Sequence, residues 1–237
     1  NQYLTQKFIR IKLKEINRME VPKVKKTVYL TSKQDGLKLH VLLMEPEEEP
    51  KGIVQIVHGM AEHKERYEPF MEMLCKQGYI SIIHDHRGHG KSIRAKEDLG
   101  YFYDESGKAI VEDVHQITQW AKDRYGEMPY HLFGHSMGSL VVRCYLKKYD
   151  NELDSLIICG SPSENKAAKA ATLLAKAACK IRPHKRGDFF QKLAFGLYGK
   201  ILEEGESENG WISYNKENVK AYDENPLDGF VFSNNGF

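Results

Sequence analysis

The sequence has no apolar run approaching the roughly 20 residues a helix needs to cross a bilayer, so a transmembrane helix is excluded. It has only four cysteines, Cys75, Cys144, Cys159 and Cys179, with no CxxC pair and no ligand spacing to histidine. That speaks against a zinc site. Cys75, Cys144 and Cys159 sit in apolar stretches, where a thiol behaves as a small hydrophobe; the reading is reduced, buried thiols in a cytosolic protein. An excess of one charge is lacking too: 35 Lys and Arg stand against 33 Asp and Glu, which gives no electrostatic footprint for nucleic acid. The one basic cluster, Lys180 to Arg186, reads as a solvated surface, with peripheral contact to anionic lipid as the alternative. Residues 1–26 are polar and carry no secretory apolar core, which points to the cytoplasm; the first residue is Asn1, so the native start is left open.

What is present is the composition of a globular domain, 41% hydrophobic and 29% charged over 237 residues. Two β-rich runs, Lys23–Thr31 and Leu37–Met44, flank an Asp35-Gly36 turn and read as a hairpin. Short apolar runs then follow at Ile53–Val57, Tyr79–Ile83, Tyr130–Phe133 and Leu156–Cys159, each ending in glycine or histidine. Between them, Tyr67–Gln77, Ile110–Tyr125 and Gly138–Tyr149 carry apolar residues at helical spacing. Buried strands alternating with amphipathic helices predict βαβ units and a mostly parallel sheet flanked by helices, the α/β class. Functional groups are then expected at the carboxyl ends of the strands.

After Ser161 the alternation stops. Ser161-Pro162-Ser163-Glu164 has the pattern of a capping box with proline at the first helical position, so a helix is expected to start there. The run to Lys180 is alanine-rich, with Lys166, Lys169, Lys176 and Lys180 on one face, and its alanine side would bind lipid weakly. Arg182-Pro183 ends it, and Asp188–Leu202 is expected to be a second, strongly apolar helix. Its Phe189, Phe190, Leu193 and Phe195 either line a substrate pocket or pack the insertion onto the core. The expected organisation is a core over 1–161, a helical cap over 162–226, and the start of a return to the core over 227–237.

The chemistry lies in Gly134-His135-Ser136-Met137-Gly138. The spacing G-x-S-x-G fits a sharp strand-to-helix turn that lifts a serine hydroxyl beyond the end of its strand. Ser136 is the candidate nucleophile. The amide of the next residue, Met137, is placed to face an oxyanion. A second such amide is needed from the loop after the first parallel strand, and Met60 in His58-Gly59-Met60 is the residue assigned to it. His58 reads as a brace for that loop, and the Met60 and Met137 side chains as possible filler around a pocket.

Three runs together carry a resemblance: His58-Gly59-Met60-Ala61-Glu62-His63 with Arg66-Tyr67; Asp85-His86-Arg87-Gly88-His89-Gly90-Lys91-Ser92; and Gly134-His135-Ser136-Met137-Gly138-Ser139. They resemble the monoacylglycerol lipase and lysophospholipase group of α/β-hydrolases, and Trp211–Leu227 is similar to the end of that group's cap. The resemblance covers roughly residues 25 to 237. It implies an α/β-hydrolase fold with a helical cap and hydrolysis of carboxylic esters through an acyl-serine intermediate, without metal or organic cofactor. The small-molecule substrate would be a monoacylglycerol or lysophospholipid. Other acyl hydrolases (short-chain esterase, thioesterase or peptidase) and a non-catalytic lipid-binding or partner-binding relative are the alternatives. Asp85, Arg87 and His89 read as a bracing network.

The triad of this fold runs Ser, then Asp or Glu, then His. Acid and base are expected beyond the cap, where this sequence ends at Phe237. The triad Asp and His are therefore expected to be absent from this chain, along with the C-terminal part of the fold. His184 reads as a solvent-facing residue of the cap.

Overall fold

In a computed structural model, residues 24–163, 168–195, 202 and 206–237 are described. The hairpin strands are β1, Val24–Thr31, and β2, Lys38–Glu45, paired antiparallel through a turn in which Gly36 takes φ +75°. Then come β3 (Gly52–Val57), α1 (Glu68–Lys76), β4 (Tyr79–His84), α2 (Ala109–Tyr125), β5 (Tyr130–His135), α3 (Met137–Tyr149) and β6 (Ser155–Cys159). After β6 the described elements are α4 (Ala168–Ile181), α5 (Asp188–Phe195) and α6 (Lys216–Glu224).

The strands form one sheet in the order β1-β2-β4-β3-β5-β6; β4, β3, β5 and β6 are parallel and β2 joins β4 antiparallel. β3 sits between β4, which follows it, and β5, to which the chain must cross over. The loops leaving β3 and β5 therefore diverge to opposite sides, and a crevice opens at their carboxyl ends.

Burial on both faces explains the uniform apolar character of the inner strands. Every residue of β3 is buried. On one face Leu39, Val41, Leu43, Ile53 and Ile82 pack with Ile117 and Ala121 of α2; on the other, Leu42, Val54, Ile56 and Ile83 pack with Met71 and Cys75 of α1. Gln55 is the polar exception inside the sheet. It is satisfied: its amide donates to Val114 O at 3.0 Å, and its carbonyl oxygen accepts from Thr118 and Tyr130 hydroxyls.

Several expectations change after β5. Cys75 and Cys179 are buried, but Cys144 and Cys159 are exposed, because α3 turns Cys144 outward and β6 is the edge of the described sheet. Ile157 and Ile158 of β6 keep 47% and 46% of their surface exposed. Ser161–Ser163 are irregular and Glu164 lies outside the described residues, so the helix start expected there is not seen; α4 is described from Ala168. The expected extension of α5 to Leu202 falls largely outside the described residues. In α4, Ala175 and Cys179 are buried, while Leu173, Leu174 and Ile181 are 71%, 54% and 78% exposed. Phe190 packs against Phe237, with ring centroids 5.7 Å apart, whereas Phe189 and Leu193 face solvent. His184, expected in solvent, is exposed but stacks on Tyr101 at 3.9 Å. Among the described residues no helix is long and apolar enough to cross a membrane, and no group of side chains could hold a metal ion.

Candidate active site

Ser136 stands between the end of β5 and the first residue of α3, with φ +52° and ψ −117°. Such a backbone costs a non-glycine residue about 1–3 kcal/mol and persists only where the surroundings impose it. Here its N–H donates to Cys159 O at the end of β6 at 3.0 Å, and its carbonyl accepts from the Ser139 N–H at 3.0 Å and from the Ser139 hydroxyl. Gly138 is required by close approach: a Cβ there would strike the carbonyl oxygens of Val57 and His58 at the end of β3. The elbow and the β3 loop therefore touch backbone to backbone. Met137 opens α3, so its N–H has no carbonyl one turn back to bond and lies at the positive end of the helix.

The facing loop, His58 to His63, is held at every residue but one. His58 Nε2 accepts from the His86 N–H at 3.0 Å, which puts the imidazole proton on Nδ1, and Nδ1 donates to Gly59 O at 2.8 Å. Burial and the neighbouring His86 and His89 push His58 well below the ordinary histidine range, so it stays neutral and keeps this tautomer. Because a trans peptide points its N–H opposite its carbonyl, tying Gly59 O to His58 turns the Met60 N–H the other way. A Cβ on Gly59 would lie 3.2 Å from Ser136 Cβ, which shows how close loop and serine are. Met60 N–H has no partner among the described residues. The Met60 and Met137 side chains are partly buried against the cluster of Val57, Phe102 and Val141.

The bracing read for Asp85, Arg87 and His89 is what the structure contains. Asp85 accepts from Lys64 Nζ, Lys64 N–H and Lys91 N–H, each at 2.9 Å, and the fully buried Lys64 needs that carboxylate. Arg87 donates to Asp113 at 2.8 Å and to Phe102 O at 2.9 Å, and His89 Nε2 accepts from Ala61 N–H at 3.3 Å. None of the three contacts Ser136.

Glu62, Tyr67 and His135, to which the sequence motifs assign no role, form one network beside the loop. Glu62 accepts from the Gly59 N–H at 2.5 Å and from the Tyr67 hydroxyl at 2.9 Å. Burial would raise its pKa, but hydrogen bonding and the charge of Arg66 hold it below the usual carboxylate range. His135 Nδ1 lies 3.0 Å from the Tyr67 hydroxyl, so the imidazole adjoining Ser136 is directed toward that network. A 370 Å³ cavity is lined by Glu62, Arg66, Tyr67, Phe70, Phe133 and His135; α5 contributes nothing to it. Among the described residues no histidine or carboxylate bonds to Ser136.

A sheet with its serine at a strained strand-to-helix turn beside the switch point defines an α/β-hydrolase. Residues 48–235 match the family described as serine aminopeptidase, S33, and the chain belongs to that family. Curated relatives include a monoglyceride lipase of Rattus norvegicus, 28% identical over 81% of this chain and 57% of its own length. A monoacylglycerol lipase of Mycolicibacterium smegmatis is 30% identical over 53% and 43%. A solved carboxyl esterase from Bacillus coagulans is similar with a TM-score of 0.81 and 26% identity, over 88% of this chain and 68% of that one. The chain thus spans about half the length of the curated relatives it matches.

Proposed function

We propose that the protein is a serine hydrolase cleaving carboxylic esters of the monoacylglycerol or lysophospholipid type. Ser136 is the nucleophile, and the Met60 and Met137 amides form the oxyanion hole. The observation that carries this reading is the forced backbone of Ser136 beside a loop whose Gly59 carbonyl is tied back by His58. In the reaction, Ser136 Oγ attacks the ester carbonyl carbon and its proton passes to a general base. The oxyanion is stabilised by the two amides. The alcohol then leaves with that proton, and water releases the acid from the acyl-serine. No residue of this chain is assigned as the triad's acid or base. The relatives named as monoacylglycerol and monoglyceride lipases support the substrate class.

Residues 162–226 act as the cap in this reading. The exposed Leu173, Leu174 and Ile181 of α4, with Lys176 and Lys180 alongside, suit peripheral contact with anionic lipid. Four free thiols fit the cytoplasm. The family description favours one second reading, a peptidase acting through the same Ser136. The test is turnover of monoacylglycerols of graded chain length against aminoacyl amides, by the protein and by Ser136→Ala. Ester turnover lost in the variant supports the proposal. Turnover surviving in Ser136→Ala refutes the nucleophile, and turnover of amides alone moves the substrate class to peptides.

A further inference from the structure

Ala61, the residue after Met60, has φ +52°, a left-handed backbone that an L-residue leaves unless it is held. Three hydrogen bonds hold it. Its N–H donates to His89 Nε2 at 3.3 Å; its carbonyl accepts from the Tyr222 hydroxyl at 2.9 Å and from the Gly229 N–H at 2.9 Å. The two donors to the carbonyl come from the far side of the helical segment; Tyr222 is 161 residues away in sequence.

The donors are themselves fixed. The Arg66 guanidinium lies over the Tyr222 ring at 4.6 Å, and Gly229 sits so close that a Cβ on it would be 3.2 Å from Tyr222 Cε1. One residue before Gly229, Asp228 pairs through Oδ1 with His63 Nδ1 at 2.7 Å, both groups buried. On the C-terminal side the loop is anchored, because the Lys64 N–H and ammonium both bind Asp85. If Ala61 rotated out of the left-handed region, the displacement would fall on its N-terminal side. That is where the Gly59–Met60 peptide lies.

We propose that Tyr222 is a positioning residue: with the Gly229 amide it locks Ala61, and so keeps the Met60 N–H aimed at Ser136 while Tyr222–Gly229 is seated on the core. This rests on the assignment of Ser136 and Met60 made above. Oxyanion binding is then coupled to the placement of the helical segment, through one phenolic hydroxyl and one backbone amide. Tyr222 lies outside the lining of the cavity formed by Glu62, Arg66, Tyr67, Phe70, Phe133 and His135.

The test measures phosphonylation of Ser136 in the full chain by an alkyl fluorophosphonate, followed by mass spectrometry. The phosphonyl oxygen occupies the place of the oxyanion. Tyr222→Phe keeps the ring under Arg66 and removes only the hydroxyl. The maximal rate is expected to fall about tenfold, less than the roughly 10²- to 10³-fold loss on removing an oxyanion donor itself. The half-saturating probe concentration and the thermal midpoint are expected to hold, which a merely structural role would not produce. A maximal rate within twofold of the unsubstituted chain overturns the proposal, as does a loss matched by a lower folded fraction. An unsubstituted chain whose label sits on a residue other than Ser136 refutes the underlying nucleophile assignment, and this inference falls with it.

Discussion

Four buried histidines, His58, His84, His86 and His89, make this fold acid-sensitive. Their rings meet in tilted and edge-on contacts at centroid distances of 4.1 to 5.9 Å. Burial drives all four pKa values down, His84 and His89 from 6.5 to about 4. A histidine depressed in the folded state binds its proton more readily when unfolded. Stability is therefore complete above about pH 6.5 and falls as the pH drops from there toward 4. At pH 5 an unfolded histidine gains about 2 kcal/mol by protonation that His84 and His89 each forgo, roughly 4 kcal/mol for the two. His58 and His86 add in the same direction. His63 works the other way: burial opposes its charge, but Asp228 outweighs burial and raises the pKa, so that contribution is present at low pH and lost as pH rises. Four against one leaves a net loss in acid, large beside the 5–15 kcal/mol typical of a domain. Urea titrations at pH 8, 7, 6 and 5, read by tryptophan fluorescence, are expected to show the midpoint falling steeply below pH 6.5 at constant slope. His84 offers the sharper check, since both its ring nitrogens are buried without a partner. His84→Leu is expected to change stability little at pH 7 and to gain about 2 kcal/mol over the unsubstituted protein at pH 5. A midpoint flat or rising between pH 7 and pH 5, or a His84→Leu variant with undiminished acid loss, refutes the reasoning.

Two further outcomes follow from the elbow and from α4. Gly138→Ala forces a methyl into the backbone of Val57 and His58 and is expected to cost about 2–4 kcal/mol and abolish fluorophosphonate labelling; thermal unfolding within 1 °C of the parent would contradict it. Leu174→Glu with Ile181→Glu places charge on the exposed apolar stripe of α4, and sedimentation with phosphatidylglycerol vesicles is expected to drop at least fivefold with the thermal midpoint unchanged. Equal vesicle binding by the parent and the double variant would remove α4 from any lipid contact.

The parts of this molecule written in local sequence were readable there. The six strands and helices α1 to α3 were legible because two-sided burial makes strand runs continuously apolar, and because the helices between them bury one stripe each. Ser136 was legible because its turn needs glycine two residues away on both sides, a constraint confined to five positions. Helix α4 misled because Ala175 and Cys179 turn inward while Leu173, Leu174 and Ile181 turn out, and composition does not say which residues the core takes. The least legible part was the loop after Met60. Ala61 carries no glycine to advertise its positive φ, and the contacts that impose it come from His89, Tyr222 and Gly229. Glu62 shows the same limit: its carboxylate serves a backbone amide three residues earlier and the Tyr67 hydroxyl five residues later. Only the folded loop makes it an internal acceptor instead of a surface charge. The sequence run His58 to Tyr67 signals that such a device exists, since two histidines, two glutamates, a lysine and an arginine so close to a buried strand end must find partners or cost stability. Which partner each one takes is decided by the fold: Glu62 holds the Gly59 amide, Lys64 binds Asp85, and His63 pairs with Asp228 beyond α6. The turn at Ser136 could therefore be read from five residues, while the backbone of the loop facing it depends on contacts drawn from the loop after β4, from α6 and from the loop beyond it.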